Sequence, residues 1–287
     1  MKVYLNGQLV DKEKAVVSVF DRSFLLGDGL YETLRVLDGR TFRWDQHWRR
    51  FEHGANFLKI RIPATSDALR EAAGELILRN KLPDGMIRMT LSRGVGMRGY
   101  SPKGADKPVL VISCHPPPAV DPQRPLQWRL LVSSSRVAPN DPIAQFKGCS
   151  KLHQILARME ADAAGADEAL LLNTDGFVAE ATGSNLFWIT DESACTPALT
   201  AGILPGVTRD AVFEICKVFG IPCREANISA EALRSVHGVF LSLSSFGIAE
   251  CVSLDGHALR QSPLVKKIRV AYEELLRRET TDSQNHR

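Results

Sequence analysis

Residues 169–189, ALLLNTDGFVAEATGSNLFWI, decide the fold class of this chain. The apolar runs 169–172, 177–181 and 186–189 predict three strands, and Thr174-Asp175-Gly176 predicts the turn after the first. No helix separates these strands, whereas a doubly wound parallel sheet needs a helix after each strand. The stretch therefore predicts an α+β chain with mixed sheets.

The N-terminal half has a similar hairpin organisation. Asn6-Gly7 is a strong signal for a two-residue hairpin turn, and it lies between the apolar segments Val3-Tyr4-Leu5 and Gln8-Leu9-Val10. A second hairpin is predicted at Asp38-Gly39, where a run rich in β-branched and aromatic residues ends. These turns extend the α+β prediction to the whole chain.

Three consecutive prolines, Pro116-Pro117-Pro118, mark a boundary in the middle of the sequence. Such a run cannot continue a helix or occupy a central strand, and it favours an extended linker. We predict a smaller N-terminal domain, a linker and a larger C-terminal domain, followed by a loose tail. Their ranges are residues 1–115, 116–125, 126–279 and 280–287, with mixed sheets in both domains.

The composition excludes several classes of protein. Lys and Arg number 36 against 33 Asp and Glu, and a net charge of +3 is too balanced to predict binding to nucleic acid or to an anionic membrane. No segment approaches the ~18 apolar residues of a membrane span, and residues 1–14 lack the apolar core of a secretory signal. The six cysteines form no C-x-x-C pair and no zinc-like spacing with histidine. We expect a cytoplasmic protein with free thiols and no structural metal.

A glycine motif, Gly94-Val95-Gly96-Met97-Arg98-Gly99, matches the spacing G-x-G-x-x-G after a predicted strand. The dinucleotide fingerprint also requires a helix directly after the glycines. Here Tyr100-Ser101-Pro102 follows instead, which argues against a nicotinamide oxidoreductase. The motif is either a flexible loop that presents Arg98 and Tyr100 to a ligand or a surface loop with solvated arginines.

Two segments could bind an anion such as phosphate. Gly206-Val207-Thr208 precedes an amphipathic helix, whose first amides and threonine hydroxyl could bind a phosphate. Ser242-Leu243-Ser244-Ser245 ends a predicted strand and adds clustered hydroxyls. The alternatives are an ordinary threonine cap and serines that bond to their own backbone.

Two charged residues lie in apolar surroundings. Lys147 follows Phe146, and a lysine in such surroundings loses its proton easily, as a Schiff-base nucleophile must. Lys151 competes for this role, and on these residues alone a surface lysine is the better interpretation of either. Glu180 interrupts an apolar strand and needs a buried partner, which a pyridinium nitrogen or an arginine would supply.

Taken together, these segments resemble the class IV aminotransferases, the pyridoxal-phosphate enzymes of fold type IV. That family includes D-amino acid and branched-chain aminotransferases and aminodeoxychorismate lyases. The resemblance extends from Tyr4 to about Leu276. It is carried, in order, by Asp21-Arg22-Ser23-Phe24, residues 27–35, His47 and Arg50, Lys147, residues 180–185 and residues 206–209.

The resemblance implies a role for each candidate residue. Lys147 would form the Schiff base with pyridoxal 5'-phosphate and transfer the proton, and Glu180 would pair with the pyridine nitrogen. The phosphate would be bound by Arg50, Val207, Thr208, Ser244 and Ser245. The substrate side would be lined by Tyr31, Arg98 and Tyr100. The family also implies a two-domain fold and a homodimer.

The function expected from this resemblance is amino-group transfer between an amino acid and a 2-oxo acid. One alternative is an aminodeoxychorismate lyase, which uses the same cofactor but releases pyruvate and 4-aminobenzoate. Another is a cofactor-free binding protein derived from such an enzyme. The presence of Lys147, Glu180 and Arg50 together argues against a binding protein.

Overall fold

The chain folds into two compact units in a computed structural model that describes residues 1–119 and 125–281. The first unit contains residues 1–118, 146–151 and 276–281, and the second contains residues 119, 125–145 and 152–275. The predicted linker and tail lie partly outside the described residues, so the four domain ranges remain a prediction.

The first unit is built on a six-stranded sheet of strand order β2-β1-β6-β5-β3-β4. Its strands are β1 (Lys2–Leu5), β2 (Gln8–Asp11), β3 (Gly29–Leu37), β4 (Arg40–Thr41), β5 (Gly85–Ser92) and β6 (Val109–His115). Its helices are α1 (Arg22–Leu26), α2 (Trp44–Leu58) and α3 (Ser66–Asn80). Both predicted hairpins form, and Asn6 and Asp38 adopt the positive φ that such turns require.

The sheet of the first unit is antiparallel at every pairing, which differs from the mixed sheet that we predicted for this half. The strands β1 and β2, β3 and β4, and β5 and β6 each follow one another and pair as antiparallel neighbours. The helices α2 and α3 return the chain so that β5 also runs antiparallel to β3. Phe51 and Leu76 from the helices join Leu34 and Ile87 from the sheet in one apolar cluster.

The second unit has the predicted mixed sheet, which closes on itself. Its strands are β7 (Gln127–Val137), β8 (Glu168–Asn173), β9 (Val178–Ala181), β10 (Asn185–Thr190), β11 (Ser193–Thr196), β12 (Cys223–Glu225), β13 (Gly238–Leu243), β14 (Gly247–Leu254) and β15 (His257–Ala258). Pairs β7–β8, β7–β14 and β11–β12 are parallel, and the other pairings are antiparallel. Because β9 pairs with both β8 and β10, six strands form a closed barrel.

Four helices accompany this barrel: α4 (Leu152–Ala163), α5 (Val207–Val218), α6 (Ala230–Leu233) and α7 (Pro263–Thr281), the last of which ends in the first unit. Helix α5 packs on strands β10 and β13, where Phe213 meets the stacked rings of Phe187 and Phe240. This packing fixes the N-terminus of α5. No helix in the described part of the chain is both long and apolar enough to cross a bilayer.

Candidate active site

Lys147 lies on a short segment that is added to the first unit beside β3. The amide of Tyr31 donates to the carbonyl of Lys147 at 2.8 Å, and the amide of Cys149 donates to the carbonyl of Gly29 at 2.9 Å. Phe146 anchors the segment because its side chain is buried against α2. It packs so closely on this helix that a Cβ added to Gly54 would lie 2.8 Å from Cβ of Phe146. The backbone of Lys147 is therefore fixed at the start of β3.

The half-buried side chain of Lys147 is next to Tyr31. Its Nζ atom lies 5.3 Å from the centroid of the Tyr31 ring. Lys151, the competing lysine of the sequence analysis, is also half-buried and directly precedes α4. The backbones of the two lysines thus lie in different places. The backbone around Lys147 is hydrogen-bonded to the start of β3, whereas Lys151 lies just before α4.

Arg88 is a residue that sequence reasoning missed. Its guanidinium carbon lies 3.8 Å from the centroid of the Tyr31 ring, close enough for a cation–π contact. Burial raises the pKa of the Tyr31 hydroxyl, although Arg88 acts in the opposite direction. The available signal was an arginine within the apolar run 86–91 of β5. The structure thus places two basic side chains next to one aromatic ring.

Arg50 is held by a buried carboxylate, Glu32. Nε of Arg50 donates to Oε1 of Glu32 at 2.7 Å and Nη2 donates to Oε2 at 2.8 Å, while Nδ1 of His47 lies 2.7 Å from Oε2. All three residues are at most 8% exposed. Bidentate contact fixes the plane of the guanidinium.

The same cluster sets the charge of Glu32. Burial alone would raise its pKa, but the charge and hydrogen bonds of Arg50 together with His47 outweigh burial and lower the pKa to about 2. The pKa of His47 is lowered because desolvation outweighs the attraction of Glu32. The sequence contains a signal for Glu32, since this acid occupies a core-facing position of β3 between Leu30 and Leu34.

In the second unit, Glu180 lies where the barrel closes, directly opposite Asn185 in the pairing of β9 with β10. One oxygen of its carboxylate, Oε2, accepts from the side-chain amide of Asn185 at 3.2 Å and from the backbone amide of Leu204 at 3.0 Å. The same Asn185 nitrogen also donates to the carbonyl of Leu204 at 2.8 Å. These contacts fix the direction of the carboxylate.

The segment that precedes α5 is shaped by a glycine. A Cβ on Gly206 would lie 2.0 Å from Oδ1 of Asn185, so a larger residue there would have to displace the Asn185 side chain. Gly206 is the N-cap of α5, and no side chain of residues 1–119 or 125–281 caps this end of the helix. Val207 and Thr208, both buried, form the first turn. Uncapped amides at a helix N-terminus attract an anion.

Hydroxyl groups surround the hairpin turn between β13 and β14. Ser244 and Ser245 are half-buried in this turn. Ser242, at the end of β13, is only 2% exposed and its hydroxyl has no hydrogen-bond partner among the described residues. An unsatisfied buried hydroxyl is costly, so a ligand that bonds to it would be stabilising.

The remaining two predicted residues, Arg98 and Tyr100, belong to the loop between β5 and β6. Both side chains point into solvent, and Tyr100 is 89% exposed. Neither side chain forms a hydrogen bond or an ion pair within residues 1–119 and 125–281. Of the sequence-predicted residues, the structure therefore brings together Lys147 with Tyr31 in the first unit, and Glu180 with the segment before α5 in the second.

Comparison with known proteins decides the family. The family model for "Amino-transferase class IV" matches residues 29–254. The chain belongs to this family. The class IV aminotransferases are pyridoxal-phosphate enzymes, and both the family and the α+β fold predicted from the sequence are confirmed.

Two curated class IV relatives differ in chemistry. The branched-chain-amino-acid aminotransferase of Escherichia coli K12 is 32% identical over 292 residues, covering 98% of this chain and 94% of that protein. The aminodeoxychorismate lyase of Bacillus subtilis 168 is 30% identical over 244 residues, covering 84% and 83%. Family membership alone thus leaves two reactions to distinguish.

Solved structures of class IV enzymes share this fold closely. The E. coli branched-chain aminotransferase superposes with a TM-score of 0.91 at 29% identity, covering 99% of this chain and 97% of its own. The T.th. branched-chain aminotransferase with pyridoxamine 5'-phosphate gives 0.90 at 28% identity, covering 96% and 93%. These coverages extend the family likeness to nearly the whole chain.

Proposed function

We propose that this class IV aminotransferase binds pyridoxal 5'-phosphate through Lys147 and moves an amino group between an amino acid and a 2-oxo acid. The observation that carries the proposal is the fixed carboxylate of Glu180, which two donors hold at the closure of the barrel. A carboxylate in this position suits a protonated ring nitrogen. The T.th. relative carries pyridoxamine 5'-phosphate, which supports the same cofactor here.

The residues of the second unit fit a phosphorylated ligand. Among the described residues no side chain caps the first turn of α5, and the lack of a side chain at Gly206 lets this segment lie close against Asn185. The buried hydroxyl of Ser242 has no hydrogen-bond partner among the described residues. We assign Val207, Thr208, Ser244 and Ser245 to the phosphate. Arg50 is assigned to it as well, with Glu32 holding its guanidinium plane.

The chemistry follows from these assignments. Pyridoxal phosphate supplies an electron sink for the bond to the substrate α-carbon. Lys147 takes up and returns the α-proton through Nζ, which arginine could not do because it does not lose its proton in proteins. The carboxylate of Glu180 would accept a hydrogen bond from the protonated ring nitrogen of the cofactor. The Tyr31 ring lies next to Nζ of Lys147, with its centroid 5.3 Å away.

The substrate carries at least one carboxylate, and a guanidinium is its natural partner. Arg98 and Tyr100 remain proposed for this role. Arg88 joins them, because its guanidinium lies on the same Tyr31 ring that Lys147 approaches. Two arginines and a tyrosine suit the carboxylate of an amino acid or a 2-oxo acid better than they suit an amine that has no carboxylate.

The purified protein, incubated with pyridoxal phosphate, provides the test of this function. We expect a yellow protein whose visible absorption is bleached by particular L- or D-amino acids and restored by a 2-oxo acid. Bleaching identifies the donor and its handedness. A yellow protein that no amino acid bleaches, but that releases pyruvate from aminodeoxychorismate without a 2-oxo acid, would establish the lyase reaction instead. A protein that stays colourless would contradict both.

We also propose a homodimer, because large apolar side chains are exposed in both units. In the first unit they include Phe20 (67% exposed) and Phe24 (73%). In the second they lie on α4, where Leu152, Ile155 and Met159 face away from the buried Ala157 and Ala161. A monomer rarely exposes so many large apolar side chains on its elements. A second copy of the chain would cover them.

Light scattering checks this proposal. We expect a mass of twice 31.7 kDa for the wild type, and dissociation in Phe24→Glu, which places a charge within the apolar surface. Leu78→Glu is the control, because Leu78 is just as exposed (77%) but lies on α3. A wild-type mass near 31.7 kDa would contradict the dimer.

The state of the cysteines supports a proposal for the cellular location. All six are free thiols, and four of them are buried. Unpaired thiols are typical of a reducing compartment. We therefore propose a cytoplasmic enzyme without nucleic-acid or membrane partners.

A further inference from the structure

The loop between β5 and β6, residues 93–108, carries two of the proposed substrate residues but has few apolar anchors of its own. Arg98 and Tyr100 are exposed, and Gly99 adopts a φ of +103°. A loop of this kind samples many conformations unless another part of the chain restrains it. Binding a carboxylate bidentately requires a defined loop position.

Arg22 supplies that restraint from α1. Its Nη1 donates to the carbonyls of Gly99 at 3.0 Å and Ser101 at 3.2 Å, and its Nη2 donates to the carbonyl of Tyr100 at 3.0 Å. The side chain is nearly inaccessible, since Arg22 is 4% exposed. Three consecutive carbonyls are thus bound by a single guanidinium.

The position of Arg22 is itself fixed on two sides. Its Nε donates to Oδ2 of Asp28 at 2.7 Å, and its backbone amide donates to the carbonyl of Gly94 at 2.9 Å. The preceding Asp21 caps α1 through the amide of Ser23 and also accepts from the hydroxyl of Ser92 at 2.5 Å. These contacts tie α1 to the end of β5.

The glycine motif of the sequence analysis finds its explanation here. A Cβ on Gly96 would lie 2.9 Å from both Cδ of Arg22 and Cβ of Ala105. Gly94 has a φ of +90°, and a Cβ there would lie 2.0 Å from the carbonyl oxygen of Lys107. The two glycines therefore let the loop fold closely over the Arg22 side chain, rather than approach a dinucleotide.

Arg93 offers a comparison within the same cluster. Its Nε also donates to Oδ2 of Asp28, at 2.8 Å, and Arg93 is 8% exposed. Its other nitrogens, however, donate to the carbonyls of Leu58 and Lys59 at the end of α2. Arg22 and Arg93 thus share a counter-ion and a similar burial, but only Arg22 binds the tip of the loop.

We propose that Arg22 is a positioning residue, which holds residues 99–101 so that Arg98 and Tyr100 are placed for the substrate carboxylate. The proposal rests on the proposed function for the role of those two side chains. Arg22 itself would touch neither substrate nor cofactor. Its effect should appear in substrate affinity and loop dynamics.

The test compares Arg22→Lys with Arg93→Lys in the holoenzyme. Lysine keeps the charge beside Asp28, but its single ammonium cannot span three carbonyls in the planar geometry of arginine. We expect Arg22→Lys to raise KM for the amino acid that bleaches the wild type by about 10-fold or more, while kcat stays within about threefold. Hydrogen exchange of the amides of residues 99–101 and 103 should accelerate in Arg22→Lys and remain near wild type in Arg93→Lys.

Three outcomes would overturn the proposal. One is equal exchange of the loop amides in the two variants, and another is faster exchange in Arg22→Lys with an unchanged KM. The third is the same rise of KM in both variants, which would point to a general loss of stability. If the wild type transaminates no amino acid, the proposed function fails, and the KM comparison with it. The exchange comparison still decides whether Arg22 restrains the loop.

Discussion

Lys147→Ala is expected to lower the rate of amino-group transfer by about 10⁴-fold, the upper range for removing a positioned acid–base group. The variant should also fail to develop the visible absorption of the wild type with pyridoxal phosphate. In the proposed mechanism Nζ is the nucleophile toward the cofactor and also moves the α-proton, so this variant would lose both functions. The backbone of the segment should persist, because Phe146 and the two hydrogen bonds to β3 remain.

Two further variants make this test specific. Lys151→Ala removes the same chemical group four residues later and should retain most of the activity and the visible absorption. Lys147→Arg keeps a positive charge beside Tyr31 but cannot give up its proton, so it should be nearly as inactive as Lys147→Ala. Loss of the absorption in Lys151→Ala rather than in Lys147→Ala would reverse the assignment of the two lysines.

Glu32→Gln should have the largest effect on stability, lowering the free energy of unfolding by about 3–5 kcal/mol, the usual cost of breaking a buried ion pair. The amide would leave the guanidinium of Arg50 in the protein interior without its counter-charge. The loosened guanidinium should also weaken the binding of pyridoxal phosphate. Urea denaturation of the apoenzyme and titration with the cofactor measure the two effects separately.

Glu75→Gln is the matched control. Glu75 also pairs with an arginine, Arg79, but its side chain is 50% exposed and that of Arg79 is 61% exposed. Such surface pairs contribute little, so the change should stay within about 1 kcal/mol. Similar losses in the two variants would show that the cluster of Glu32 is not a strongly coupled buried pair.

The pH dependence of stability provides a second measurement on Glu32. Its folded-state pKa of about 2 lies below the ordinary value of 4.5, so the carboxylate binds fewer protons in the folded state. Its contribution is therefore fully present above pH 4.5 and is lost as the pH falls toward 2. Over this range the wild type should lose more stability than Glu32→Gln, and parallel curves would contradict the assignment.

Local sequence signals predicted much of the fold. Asn6-Gly7 and Asp38-Gly39 specify their turns through positive φ, and the hairpins follow from them. The apolar stripe of α4, in contrast, predicts a buried face, yet Leu152 and Met159 are exposed in the chain. Periodicity shows that a face is apolar, but it does not show which surface covers it.

The site was less accessible to sequence reasoning alone. The motif around Glu180 can be read from a short stretch of sequence. The hydrogen bonds that hold its carboxylate come from Asn185 and Leu204, which lie next to it because the barrel closes there. Arg88 and Glu32 were missed because each is significant only through strand register and a partner distant in sequence. For Glu32 that partner is Arg50, 18 residues away.

The first unit is made of residues that are far apart in the order of synthesis, because residues 146–151 and 276–281 belong to it. The unit cannot be completed when residue 115 emerges, because its Lys147 segment and the end of α7 are still missing. Residue 276 is 161 residues later, which at 5–20 residues per second corresponds to about 8–32 s of translation. The edge of β3 that pairs with the Lys147 segment stays open until residue 149 follows, 34 residues after residue 115 or about 2–7 s of translation, and in that time the nascent chain is most exposed to wrong pairing.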